Sequence, residues 1–178
     1  FGEMLTFKKM LENAKDQNER KVLLAGKVED MINTVIRQIA FYDFECKLHE
    51  ARKAGELTPD DINALWMSVQ GESLGPAFEF MDGYETFWAY IPHFVHSPFY
   101  VYAYAFGDGL VNALYAVYEA APDGFKEKYF DMLKAGGSQH HKDLLAPFGL
   151  DASDPTFWQQ GLSMISSMID ELEAMETP

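Results

Sequence analysis

Cysteine is nearly absent from this sequence, with Cys46 as its single occurrence among 178 residues. One cysteine excludes an intrachain disulfide framework and any zinc or iron–sulfur site that needs several thiolates. We therefore expect a reducing, cytoplasmic setting. Cys46 itself lies in an apolar helical stretch beside Phe44 and Leu48, a context that favours a buried, inert thiol over a nucleophile.

Basic residues are scarce: 14 lysines and arginines stand against 28 aspartates and glutamates, which gives a formal net charge of -14. A protein held to nucleic acid or to an anionic membrane surface needs charge of the opposite sign. Hydrophobic runs are also short, because Gly107, Asp108 and Gly109 interrupt the apolar stretch 101–121, and a bilayer span needs about 20 apolar residues. We expect neither a nucleic-acid nor a membrane partner.

Several catalytic and metal-binding motifs are missing. His49 and Glu50 begin the zinc pattern H-E-x-x-H, but Lys53 stands where the second histidine belongs. The paired E-x-x-H of di-iron bundles, the G-x-S-x-G elbow and a phosphate-binding glycine loop do not occur. His140 and His141 would point in different directions on a helix, which indicates a solvated pair without an assigned role. The motifs alone therefore do not establish catalysis.

Hydrophobic periodicity is helical almost throughout, and no segment alternates as strands do. The predicted fold is all-α, an irregular multi-helix bundle that forms a single domain over 1–178. The stretch 71–97, rich in aromatic residues and interrupted by glycine and proline, is predicted to form short helices and loops. Helices are predicted over about 1–16, 18–54, 59–71, 98–121 and 155–172, with shorter ones over about 125–135 and 140–146.

The stretch IPHFVHSPFYVYAYAFGDG at 91–109 carries the most chemistry. If Pro98 begins a helix, Tyr100 and Tyr104 share one face, while Tyr102 points about 200° away. Phenols keep their protons at neutral pH and can donate to an oxyanion, and His93 in the preceding loop could add a second donor. The pattern by itself favours a different interpretation, in which the three tyrosines pack into a core.

Three stretches, in order, resemble the C-terminal part of the oligoendopeptidase F and thimet oligopeptidase family of zinc metallopeptidases. They are FGEMLTF at 1–7, IPHFVHSPFYVYAYAFG at 91–107, and LKAGGS at 133–138 followed by LLAPFGLD at 144–151. The resemblance, which extends to about residue 172, implies hydrolysis of short peptides by a zincin-like catalytic lobe. It also implies that all zinc ligands precede Phe1, so the chain resembles a fragment that neither binds zinc nor cleaves peptides alone.

The resemblance also implies roles for individual residues. Tyr104 matches the tyrosine that donates to the oxyanion opposite the zinc, and His93 matches a family histidine with a catalytic and substrate-binding role. Tyr100 matches a neighbouring aromatic position with a substrate-binding role. Glu3 matches a glutamate that supports a zinc-ligating histidine. His96 departs from the family pattern and is assigned no role.

Two further expectations concern partners. A lobe separated from the rest of such an enzyme would expose apolar surface, which predicts self-association. The alternative to a peptidase is a non-catalytic helical domain that binds peptides or another chain through the aromatic stretch at 78–90.

Overall fold

The computed structural model describes residues 1–176, and within that range it contains helices and turns but no strand. The all-α prediction is confirmed. No helix of this range is long and apolar enough to cross a membrane. The α-helices are α1 (Gly2–Glu12), α2 (Gln17–Met31), α3 (Arg37–Ala54), α4 (Pro59–Leu74), α5 (His93–His96), α6 (Tyr102–Ala120), α7 (Phe125–Ala135), α8 (His141–Leu145) and α9 (Pro155–Glu176).

The chain divides into two compact units. The middle unit comprises residues 32–106, and the terminal unit comprises 1–31 together with the chain from 107 onward. The expectation of a single domain stays a prediction. Between α2 and α3 the predicted long helix contains a π-helical segment, Ile32–Ile36, and the boundary between the units falls at its first residue.

The start of α4 is set by its sequence as predicted. The Thr58 side chain accepts a hydrogen bond from the Asp61 backbone N–H (3.3 Å), and the Asp61 carboxylate accepts one from the Thr58 N–H (2.8 Å). Pro59 occupies the first helical position, where its missing N–H costs nothing. The helix continues past the predicted end at Gly71 to Leu74, because a single glycine inside a packed helix is tolerated.

The middle unit has its own aromatic core. Trp66 of α4 is fully buried, and its ring centroid lies 5.5 Å from that of Phe41 and 5.3 Å from that of Phe44, both on α3. The Trp66 indole N–H donates to the Tyr84 carbonyl (3.0 Å), and the Tyr84 hydroxyl bonds to the Gln70 amide oxygen (3.1 Å). These bonds fasten the 3-10 helix Tyr84–Tyr90 to α4 and confirm short helices within 71–97.

The start of α6 differs from the prediction. The helix begins at Tyr102, and Pro98 lies in the turn before it. Phe99 in that turn has φ = 61°, a left-handed conformation that a right-handed helix cannot include. The predicted helix over 98–121 is therefore wrong in its first turn, although Ala120 ends it within one residue of the expected position.

The terminal unit is held by α6, α7 and α9 around a second core. Its buried members are Ala113, Leu114, Phe125, Leu145, Phe148, Leu150 and Phe157. Where α6 and α9 meet, a Cβ added to Gly161 would lie 3.3 Å from the Cα of Gly109 and 3.4 Å from its carbonyl oxygen. The two helix backbones are therefore in close contact, which favours glycine at position 161.

We expect Gly161→Ala to lower the free energy of unfolding by about 1–2 kcal/mol, since the added methyl group meets helix backbone, which yields less easily than a flexible side chain. Gly26→Ala on α2 is the matched control, because a Cβ there meets no atom within 4 Å. That control should be neutral or more stable by up to about 1 kcal/mol, through helix propensity. Urea unfolding followed by circular dichroism measures both, and equal stabilities would contradict the close contact.

Candidate functional site

His93, Tyr100 and Tyr104 lie together in the middle unit and form a group that we name the His93 cluster. The Nε2 atom of His93 is 3.0 Å from the hydroxyl oxygen of Tyr104. The His93 and Tyr100 rings are nearly parallel, 6° apart in plane with centroids separated by 6.1 Å, and the Tyr100 and Tyr104 rings meet edge to face at 5.5 Å. The predicted proximity of the three side chains is confirmed.

The tyrosines of this region are exposed. Tyr100 is 49% exposed, Tyr102 is 53% exposed and Tyr104 is 38% exposed, so the interpretation that they pack into a core is wrong. Tyr102 does diverge from the His93 cluster, and its ring contacts Tyr42 with centroids 5.7 Å apart. Tyr100 and Tyr104 therefore lie at a surface that a ligand can reach.

Tyr100 reaches the cluster from a turn instead of from a helix. Its N–H donates to the Ser97 carbonyl (3.1 Å), and its own carbonyl accepts from the Ala103 N–H (2.9 Å) at the entrance to α6. The expected pairing of Tyr100 and Tyr104 through one helical turn is wrong in its geometry, since the unusual backbone of Phe99 redirects the chain just before Tyr100. The two rings meet nonetheless.

His93 also lies in a helix, where a loop was predicted. It is the first residue of the short helix α5, and its carbonyl accepts a bond from the Ser97 N–H (3.0 Å) that closes this helix. His96 ends the same helix and is exposed.

A buried carboxyl group lies beneath the turn that carries Tyr100. Glu45 of α3 is 1% exposed, and its Oε1 atom accepts a hydrogen bond from the Phe99 N–H (3.0 Å). Its Oε2 atom has no hydrogen-bond partner among the described residues. Burial raises the pKa of the Glu45 carboxyl, while the bond from Phe99 and the nearby imidazoles of His49 and His93 act in the opposite direction.

Glu3 belongs to the terminal unit. Its side chain is exposed, and its carboxylate accepts a charge-assisted bond from the Lys27 ammonium group (2.6 Å). The hydrogen bond and positive charge of Lys27 lower the pKa of the Glu3 carboxyl. A role for Glu3 in supporting a zinc ligand stays a prediction.

The described residues do not fit a resident zinc ion. Within 1–176 no group of three or more histidine, cysteine, aspartate or glutamate side chains could hold a metal, and a catalytic zinc needs three protein ligands.

His140 and His141 do not diverge as predicted: their ring centroids are 4.1 Å apart. The reason is that His140 caps α8, accepting from the Lys142 N–H (3.3 Å), instead of lying inside a helix.

A concave surface separate from the His93 cluster lies between α3 and α4. It is an open groove of about 540 Å³ whose lining includes Ile39, Tyr42, Cys46, Val69 and Glu72. Cys46 is a free thiol and is only partly buried, which contradicts the expected burial, while the expected inertness of the thiol stays a prediction. A hydrogen bond with the Cys46 thiol raises the pKa of Tyr42, which leaves that phenol protonated at neutral pH.

The sequence is similar to known peptidases over nearly its whole length. The profile of peptidase family M3 matches residues 1–164. The plasmid-encoded oligoendopeptidase F of Lactococcus lactis subsp. cremoris is 31% identical over 167 residues, which cover 93% of this chain and 28% of that protein. The oligopeptidase PepF of Bacillus subtilis is 30% identical over 175 residues, covering 98% of this chain and 26% of the relative.

The fold is similar as well. The crystal structure of oligoendopeptidase-F from Enterococcus faecium matches with a TM-score of 0.85 and 26% sequence identity, over 95% of this chain and 32% of that chain. This chain therefore spans less than a third of the length of these relatives.

Proposed function

This chain belongs to peptidase family M3, and we propose that it forms the substrate-binding and oxyanion-stabilising part of an oligoendopeptidase that hydrolyses short peptides. The observation that carries the proposal is the His93–Tyr104 contact of 3.0 Å on an exposed surface. A phenol that is both accessible and held by an imidazole is suited to donate a hydrogen bond to a developing negative charge.

The tautomer of His93 decides how the pair works. When Nε2 carries the proton, it donates to the Tyr104 oxygen, and the Tyr104 hydroxyl proton stays available for the substrate. The two bonds then form a chain in which each strengthens the next. When water adds to the scissile carbonyl carbon, the carbonyl oxygen becomes an oxyanion and accepts the bond from Tyr104. When the C–N bond breaks, the departing amine takes up the proton that the attacking water released as it added.

Tyr100 contributes an aromatic contact surface and takes no part in the reaction. Its ring is half exposed and parallel to that of His93, so it restricts the imidazole on one side and offers an aromatic face to the substrate. Aromatic faces with a hydroxyl at the rim suit a peptide, which presents apolar side chains and backbone polar groups together.

Zinc, on which peptidases of this family generally depend, would supply activation of the attacking water when it is bound. The described residues lack a ligand set for it. The proposed roles of His93, Tyr100 and Tyr104 use only hydrogen bonds and ring contacts of this chain.

We expect Tyr104→Phe, in the peptidase that contains this chain, to lower kcat by about 100-fold or more while KM changes little. The lost hydroxyl donates to the oxyanion, which exists only in the transition state. Tyr102→Phe is the matched control, because it removes the same atom from an exposed tyrosine that contacts Tyr42 instead of the cluster. Hydrolysis of a fluorogenic peptide measures both, and unchanged kcat in Tyr104→Phe would remove Tyr104 from the mechanism.

The chain of 178 residues, assayed alone, should neither bind zinc tightly nor hydrolyse peptides. Isothermal titration with zinc and a fluorogenic peptide assay test the two parts of this prediction. A sample purified in the same way from cells that do not produce the chain is the control for contamination by another peptidase. Cleavage that a chelator abolishes and that Tyr104→Phe weakens would contradict the prediction.

One observation favours the alternative, a non-catalytic peptide-binding domain. Phe78, Phe87 and Tyr90 are exposed, at 59%, 46% and 61%, and lie in the aromatic stretch that could dock a peptide. Binding of peptides without cleavage by the longer protein, weakened by Phe87→Ala and unaffected by Tyr104→Phe, would support this alternative.

A further inference from the structure

We infer that Glu45 is a positioning residue for the His93 cluster: its buried carboxyl group holds the backbone of Phe99 and thereby sets the place of Tyr100. The catalytic consequence of this inference rests on the function proposed above, whereas the geometric part concerns this chain alone. Glu45 lies on α3, 54 residues before the amide that it binds.

Three side chains of one face of α3 hold Phe99. Tyr42, Glu45 and His49 are spaced by three and four residues and therefore share a helix face. Glu45 accepts from the Phe99 N–H (3.0 Å), while the Phe99 ring lies between Tyr42, with centroids 6.2 Å apart, and His49, at 4.7 Å. Both the backbone and the side chain of Phe99 are fixed against the same helix.

The conformation held in this way is unfavourable on its own. Phe99 has φ = 61°, and among the described residues every other positive φ belongs to a glycine. A bulky side chain disfavours this backbone region. Such a backbone conformation persists only where surrounding contacts hold it in place. It is common at sites that need a fixed geometry. The bond to Glu45 is the polar contact that meets this requirement.

Phe99 directs Tyr100 because the two residues are adjacent and the chain beyond them is anchored. Val101 is fully buried in the core of the middle unit, and the Tyr100 carbonyl accepts the first bond of α6. With Val101 fixed, the backbone angle at Phe99 decides which way Tyr100 points. It points toward His93, and the rings are 6° from parallel.

The carboxyl group is poorly suited to a purely structural role. It is almost completely buried, and its Oε2 atom has no partner among the described residues. Burying an ionisable carboxyl group costs free energy, which a single hydrogen bond offsets only in part. A residue that only supported stability would thus be replaceable, whereas a residue that positions Phe99 requires the acceptor oxygen.

The test compares Glu45→Gln, which keeps an acceptor oxygen, with Glu45→Met, which removes it at similar length. Glu50→Met is the matched control, because Glu50 is on the same helix but is exposed and paired with Lys53. Hydrogen exchange of the Phe99 amide and nuclear Overhauser contacts between the His93 and Tyr100 rings are measured on the 178-residue chain. Values of kcat and KM are measured on the peptidase that contains it.

We expect Glu45→Met to lose the protection of the Phe99 amide and the contacts between the His93 and Tyr100 rings. In the peptidase, kcat should fall by about 10- to 100-fold, as misplacement of a site by about 1 Å does. Glu45→Gln should restore most of both properties, and Glu50→Met should resemble the unsubstituted protein.

Retention of the amide protection and ring contacts in Glu45→Met would overturn the inference, whatever the activity. Loss of both with kcat unchanged would support the positioning and instead overturn the proposed role of the cluster. If Glu45→Met does not fold, the unsubstituted chain decides: Phe99 amide exchange as slow as that of core amides supports the inference, and exchange as fast as in an exposed turn overturns it.

Discussion

A single bond between two distant parts of the middle unit, from the Phe99 N–H to the Glu45 carboxyl group, determines how the chain enters α6. A left-handed backbone at a residue with a side chain costs about 1–2 kcal/mol. A hydrogen bond to a charged acceptor contributes about 1.5–3 kcal/mol, which is enough to offset that cost. Burial of the carboxyl group raises its pKa and opposes its ionisation, which reduces this contribution. We therefore assign the bond mainly the role of selecting one geometry.

The helices could be predicted from the sequence because their causes are local. The capping pair Thr58 and Asp61, Pro59 between them and the apolar spacing along α3 all act within a few residues. The start of α6 could not be predicted in this way. Pro98 is as compatible with a turn as with a first helical position, and the choice is made by Glu45, a contact that local patterns do not contain.

It could be predicted from the sequence which side chains lie together, but not whether they are buried or exposed. The spacing of Tyr100 and Tyr104 is the same whether the two rings are buried in a core or exposed on a surface. The pattern favoured the buried core because that case is commoner, whereas the structure shows exposed rings. The resemblance of the segment at 91–107 pointed to His93, Tyr100 and Tyr104, and the structure brings these three side chains together. The sequence also contains a signal for the burial of Glu45, because this acidic residue directly follows Phe44 within the apolar stripe of α3.

The cluster combines exposure with rigidity, and the alternation of buried and exposed residues explains how. Ile91 and Val101 are buried in the aromatic core of the middle unit, while His93, Tyr100 and Tyr104 lie within three residues of one of these anchors and stay outside the core. Hydrogen-bond donors that must meet a transient negative charge have to be accessible to substrate and also fixed before it arrives. Short chain segments between buried anchors satisfy both requirements. A flexible loop carrying the same three side chains would satisfy only the first.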